Sequence, residues 1–326
     1  MNRNVEILDC TLRDGGYLID WNFGEFTINS VLSNLVKSKV DYIELGFFKN
    51  LPYVGNRTFF PKISDVEKLI SDTQKYTLMV NFGEYCLNNF EKCNNKNIKI
   101  RVAFKKQDQK NALDYIYKLK NLGWDVFANP MSTNTYSTKE LRNLIAEINI
   151  IKPFGLSMVD TLGNMYEKDV IKLFKLFDNN LDTNIVICFH SHNSMLLSFS
   201  NAKTLLKLKT ARNIIIDSCL YGMGRGAGNL CTELILNYLN DTEKKYKISP
   251  ILKCIEDAIK PIYEKNPWGY STPFYIAAIH GCHPNYADYL VKNNFSDKFI
   301  DKILSQIPND KKIVFDKDLI ITLAKK

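Results

Sequence analysis

The feature that most constrains this chain is a repeated change of hydrophobic period. Short runs rich in β-branched and aromatic residues occur at 5–10, 42–48, 77–82, 98–104, 124–128, 154–159, 184–189 and 213–217. Runs of that length, bounded by polar segments, read as buried strands. Between them the apolar spacing becomes helical: Ile28, Val31, Leu32, Leu35 and Val36 form one stripe after the first run. Ser64-x-x-Glu67 and Ser137-x-x-Glu140 have the form of capping boxes that open later helices. Leu141, Leu144, Ile145 and Ile148 continue the second of these, and a further helix runs from near Asp108 to Gly123. Eight β-then-α units in succession predict a (β/α)8 TIM barrel, with an open doubly wound sheet as the alternative because periodicity cannot show closure.

From about Ser249 the strand signals stop, and helical or loop segments remain at 251–263, 272–279, 284–293, 297–304 and 315–324. The chain therefore divides into a barrel at 1–245 and a helical C-terminal extension at 246–326 that packs on it. The 326 residues are long enough for one such barrel with an appendage, or for two medium domains. There is no apolar run of membrane-spanning length, and Met1-Asn2-Arg3-Asn4 leads directly into a strand without a signal-peptide stretch. Eight cysteines stand singly with no C-x-x-C pair, which fits buried thiols in a reducing cytoplasmic protein. The formal charge of +8 is spread over helices with no basic block interleaved with aromatics, so neither nucleic acid nor membrane is expected as a partner. An anionic substrate is a simpler use of that charge.

Polar residues gather just after several runs, where barrel enzymes keep their active sites. The first run delivers Asp9, Arg13 and Asp14; the second, Glu44; the sixth, Asp160 and Thr161; the seventh, His190, His192 and Asn193 in "CFHSHN"; the eighth leads through "YGMGRGAGN" to Asn229. Residues i and i+2 of a strand face one side, so His190 and His192 can meet one ion. Asp14 with two imidazoles is a mixed nitrogen and oxygen set suited to Mn²⁺, Co²⁺, Zn²⁺ or Mg²⁺, and without thiolates nothing selects zinc. Arg13 beside a metal-ligand aspartate suits an enolate: the ion polarises a carbonyl and the guanidinium stabilises the developing charge. An ion pair of Arg13 with Asp9 or Glu44 is the structural alternative. His280 and His283 in "AIHGCHPN" match no usual zinc spacing and read as a helix end before Pro284. The glycines at 222, 224, 226 and 228 do not make a dinucleotide fingerprint.

Taken together, "DCTLRDG", "IELG", "VDTLG", "HSHN" and "GMGRGAGN" resemble the DRE-TIM metallolyases, with the motifs in family order over roughly 5–238. The resemblance implies that Asp14, His190 and His192 bind a divalent metal, Mn²⁺ or Mg²⁺ before Co²⁺ or Zn²⁺, with Asn229 a ligand as in some members. It gives Arg13 the enolate and Thr161, with its neighbour Asp160, the substrate carboxylate. The family's aldolase branch has a histidine base where this chain has Tyr17, and a tyrosine in a C-terminal segment like "WGYSTPF", which makes Tyr270 a catalytic candidate beside Tyr17 and Glu44. Phe47, Phe48, Tyr53 and Asn81 are read as pocket lining. The lyase branch's cysteine in the glycine loop is absent, since Arg225 and Ala227 stand there. The activity implied is a metal-dependent aldolase joining or cleaving a pyruvate-like 2-oxo acid and an aldehyde. The alternatives are an acyl-CoA Claisen-type synthase or a non-catalytic barrel that binds. A homo-oligomer and an aldehyde-processing partner enzyme are also expected by resemblance.

Overall fold

The computed structural model describes residues 4–242 and 244–325, so Met1-Asn2-Arg3 lies outside the described residues. Eight parallel strands follow one another: β1 Val5–Asp9, β2 Tyr42–Phe48, β3 Lys75–Asn81, β4 Ile98–Phe104, β5 Val126–Pro130, β6 Gly155–Asp160, β7 Val186–Ser191 and β8 Ile214–Ser218. Each pairs with the next, and β8 returns to β1 with Asp9 opposite Ser218 while β1 also pairs with β2. That closure makes a TIM barrel and removes the open-sheet alternative.

β5 and β7 begin and end two residues later than their apolar runs. Their polar ends are still strand because the ladder continues through them, with Asn129 opposite Ala103 and His190 opposite Val159. Hydrophobicity therefore understates a strand where its end is polar.

Two local expectations change. The helix at Ile63–Glu67 is capped by Lys62 and Ser64 lies inside it, so that capping box does not form, whereas the Ser137–Glu140 box does. The β3–β4 connection has a 3-10 turn, Leu87–Asn89, where an eighth helix was expected. Its sequence is polar and Asn-rich, too poor in apolar residues for a helical stripe. Aromatic rings cover the barrel there instead: Tyr85 stacks on Phe48 at 5.3 Å, and Phe90 packs edge-on to Tyr115 and Trp124.

The hydrophobic residues form two separate clusters. The larger spans the barrel and takes in Ile251, Cys254, Ile255 and Ile259 of the helical stretch 248–265, together with Trp268. The smaller starts at Ile276 and runs through Cys282, Tyr286, Leu290, Ile300 and Leu304 to Ile320. The extension expected from 246 thus opens with a helix that shares the barrel's core, and an independent core begins only with the helix Thr272–Ile279. No helix among the described residues is long and apolar enough to cross a membrane.

Candidate active site

β1 ends in a four-residue helix, Thr11–Asp14, followed by a 3-10 turn over Gly15–Leu18. This sharp bend holds Arg13 and Asp14 over the barrel mouth. Trp21 closes it by donating its indole N–H to the Arg13 carbonyl at 2.6 Å. A Cβ on Gly16 would lie 2.0 Å from the Trp21 ring, so the second glycine is needed for that approach.

Around this bend, six buried side chains from four strands and the β1 turn close into a ring of opposite charges. Arg13 Nε donates to Glu44 Oε2 at 2.7 Å, and Arg101 Nη1 reaches both Glu44 oxygens at 3.2 Å. Arg101 Nη2 donates to Asp217 Oδ2 at 2.5 Å, which also accepts His190 Nδ1 at 3.0 Å. His190 Nε2 stands 3.2 Å from Asp14 Oδ2, and Arg13 Nη1 lies 3.2 Å from Asp14 Oδ1, which completes the ring. Alternation of sign is what lets so many charges be buried together.

The ring also fixes tautomers. A carboxylate can only accept, so Asp217 puts the proton on His190 Nδ1, and the Gly228 carbonyl, 3.3 Å from His192 Nδ1, does the same there. Both Nε2 atoms then face Asp14 Oδ2, at 3.2 and 3.9 Å. That oxygen is buried and has no hydrogen-bond partner, and neither has the buried Oδ1 of Asn229, whose Nδ2 donates to the Met223 carbonyl at 2.9 Å. His192 and Asn229 are held side by side by an antiparallel bridge. Once His190 gives up its Nε2 proton, Asp14 Oδ2 and the two Nε2 atoms offer lone pairs to one point, with the unpartnered Asn229 Oδ1 on the residue bridged to His192, an arrangement that fits a divalent cation. Cys10 Sγ lies within 4.8 Å of the Asp14 and His190 donor atoms and is turned to the Ser218 carbonyl, to which it donates.

Burial pushes the Asp14 carboxyl up, but Arg13 and the two imidazoles outweigh it and hold it well below the usual range. Burial pulls the His190 imidazole down, yet Asp14 and Asp217 on its two nitrogens hold it well above the ordinary histidine value. His192, without a second carboxylate, is pulled by burial to about 3.

A cavity of about 80 Å³ opens over these groups, lined by Arg13, Asp14, Tyr17, His190, His192 and Thr161, with Asn81, Asn129 and Arg225 on its rim. Thr161 Oγ1 accepts the Ser132 amide at 2.8 Å, which leaves its hydroxyl proton for a ligand. Tyr17 stands under the Arg225 guanidinium at 4.5 Å, and burial raises its phenol above the ordinary value.

Other expected site residues lie elsewhere. Glu44 is beneath the floor and acts on Arg13 and Arg101. Asp160 is absent from the cavity, because its carboxylate caps the next loop by accepting the Asn164 and Met165 amides; burial raises it to about 6. Tyr270 is 52% exposed and does not line the cavity. Phe47 supports Tyr17 from behind, Phe48 faces Tyr85, and Tyr53 stacks on Phe60, so of those four Asn81 alone is lining. The Arg13–Asp9 pair does not form, since Asp9 is taken by Thr232 and Thr11. His280 ends one helix and His283 caps the next, as read from the sequence.

Arg101 and Asp217 were not anticipated. Each is a charge inside an otherwise apolar strand, "IKIRVAF" and "IIIDS", and such a charge can be buried only with a partner.

A family model described as HMGL-like matches residues 4–255. The chain is 22% identical over 273 residues to 4-hydroxy-2-oxovalerate aldolase of Geobacillus thermodenitrificans, covering 80% of this chain and 78% of the relative. To the enzyme of the same name from Pelotomaculum thermopropionicum it is 24% identical over 263 residues, covering 78% and 75%. Among solved structures it is similar to the N-terminal domain of a Bacteroides vulgatus protein that bears an aldolase assignment, with TM-score 0.74, 27% identity and coverage of 88% of this chain and 96% of that one. The carboxyl transferase domain of Rhizobium etli pyruvate carboxylase, solved with pyruvate, shares the fold at TM-score 0.75 and 12% identity, over 99% of this chain and 61% of that one.

Proposed function

This chain belongs to the HMGL-like family, and from that premise we propose that it makes or breaks a carbon–carbon bond through the enolate of a pyruvate-like 2-oxo acid, with an aldehyde as the second reactant. That it is a carbon–carbon lyase follows from the family and the aldolase relatives. The observation that carries the finer reading is the pair of buried, unpartnered oxygens, Asp14 Oδ2 and Asn229 Oδ1, beside two imidazoles whose Nδ1 sides are already taken by acceptors. Asp14, His190, His192 and Asn229 would hold a divalent ion, which when bound supplies Lewis-acid polarisation of a keto oxygen. Two oxygens and two nitrogens favour Mn²⁺ or Mg²⁺ over a thiophilic metal.

The chain's own groups do the rest. Arg13 has Nε on Glu44 and Nη1 on Asp14, which leaves Nη2 for the charge that develops on the enolate oxygen. The Thr161 hydroxyl can donate to the acid's carboxylate in the same cavity. Tyr17 is protonated at neutral pH and contributes a donor and a wall, not a base. Tyr17→Phe is therefore expected to keep donor enolisation within about tenfold, against the roughly 10²–10⁴-fold that loss of a general base costs; a drop in that larger range would assign Tyr17 the proton.

The direct test is to incubate Mn²⁺-loaded protein with pyruvate in D₂O and follow the methyl resonance, with a chelator control. Metal-dependent deuterium uptake is expected. Its absence with pyruvate and with longer 2-oxo acids would remove the enolate reading.

Metal affinity should also depend on pH in a stated direction. In the metal-free protein Asp14 and Asp217 keep His190 protonated up to a raised pKa, so a metal ion must displace that proton. Below that pKa the apparent affinity should rise about tenfold per pH unit and then level off. Calorimetry in two buffers of different ionisation heat should show about one proton released per ion bound; none released would mean His190 is not a ligand.

A further inference from the structure

The inner cavity, about 80 Å³, has room for a small acid but not for a second reactant of any size, so that reactant must reach in from outside. Two clefts flank its mouth, each between the barrel loops and the helices of the second core. One is about 690 Å³ and includes Lys105, Arg225, His283 and Asn285; the other is about 600 Å³ and includes Arg225, Lys265, Asn285 and Lys317. Both volumes are in the range of sites for drug-sized molecules, far beyond what a two-carbon aldehyde needs. Arg225 is common to the inner cavity and both clefts.

We propose that these clefts bind an anionic group, phosphate or carboxylate, carried by the aldehyde at a distance from its reacting carbon; this rests on the enolate reading above. The argument is one of unmatched charge. Three carboxylates and six lysine and arginine cations line the clefts. Lys49 holds Glu84 at 3.3 Å, Lys106 holds Glu140 at 2.6 Å, and Lys292 holds Asp288 at 2.8 Å. Lys105, Lys265, Lys317 and Arg225 have no carboxylate partner among the described residues, and Asp310 is the acidic side chain left to oppose them. Arg225 Nε is buried and bonded to nothing, an orphan donor at the junction of the three spaces. His283 Nδ1 accepts the Asn285 amide at 3.2 Å, so its proton is on Nε2 as a further donor at the start of the helix Pro284–Lys292. Burial, and after it Arg225, His192 and Lys105, hold that imidazole well below its ordinary value, which marks the same positive field.

The test separates the anion site from the enolate chemistry. Binding of glycerol 3-phosphate, 4-hydroxybutyrate and neutral glycerol to the metal-loaded protein is measured by calorimetry, for wild type and the Lys105→Ala/Lys317→Ala double variant. Pyruvate deuteration is measured in parallel. Wild type should bind one or both anions and not glycerol, and the double variant should bind them at least tenfold more weakly with deuteration unchanged. The phosphate and carboxylate arms tell which group the clefts take. In turnover with pyruvate, glyceraldehyde 3-phosphate or succinic semialdehyde should exceed glyceraldehyde at least tenfold in kcat/KM, and the variant should lose that preference while keeping its rate with glyceraldehyde. Equal binding of glycerol and the anions, or anion binding unmoved in the variant, would overturn the proposal. Anion binding without deuteration would leave the anion site standing and remove the enolate reading alone.

Discussion

His190→Ala is expected to strip the protein of bound divalent metal and of pyruvate deuteration together. The imidazole contributes a lone pair that no neighbour can replace, because Asp217 is turned to Arg101 and Cys10 to the Ser218 carbonyl. The loss should exceed the roughly 10–100-fold that removal of an outer-shell partner costs in metal affinity. The fold should survive, since Asp217 keeps Arg101 at 2.5 Å and no charge is left buried without a partner. Manganese EPR on the purified variant, with circular dichroism as the folding control, makes the measurement. Normal metal content would mean the converging acceptors are not the ligand set.

Arg13→Lys is expected to separate metal binding from rate. An ammonium group can pair with Asp14 or with Glu44 but cannot span both and still present a third donor to the cavity. Glu44 would keep Arg101, so the buried ring would weaken without collapsing. Manganese affinity should change by a few-fold at most, while deuteration should fall by about 10²–10³, the usual cost of removing one charge-stabilising donor. A variant of normal rate would make Arg13 a structural residue.

The barrel was legible because buried parallel strands must be apolar and each must be followed by a return, so the period changes eight times whatever the chemistry. The meeting of Asp14, His190 and His192 was legible for a different reason. Asp14 follows β1 immediately and His190 and His192 lie two apart at the end of β7, so local geometry alone brings them to one mouth. What the sequence could not display was the middle of the barrel. Arg101 and Asp217 are as far apart as 116 positions, and only closure through β8 and β1 sets them against Glu44 and His190. Tyr270 illustrates the opposite error: a motif-like segment predicts chemistry, but the turn after Trp268 leaves the ring at the surface. The clefts were illegible because their walls come from two cores that pack independently.

That separation of cores has a bearing on how such a protein can change. The groups that would activate the 2-oxo acid all sit in the barrel, locked to one another through the ion-pair ring, and almost any alteration there disturbs several partners at once. The helices from Thr272 onward contribute to the outer clefts and meet the barrel at few polar points, such as the Asn164 amide on the Ala278 carbonyl. Selection can therefore rework the outer clefts by drifting or exchanging that appendage, while the buried ring of the barrel is inherited intact.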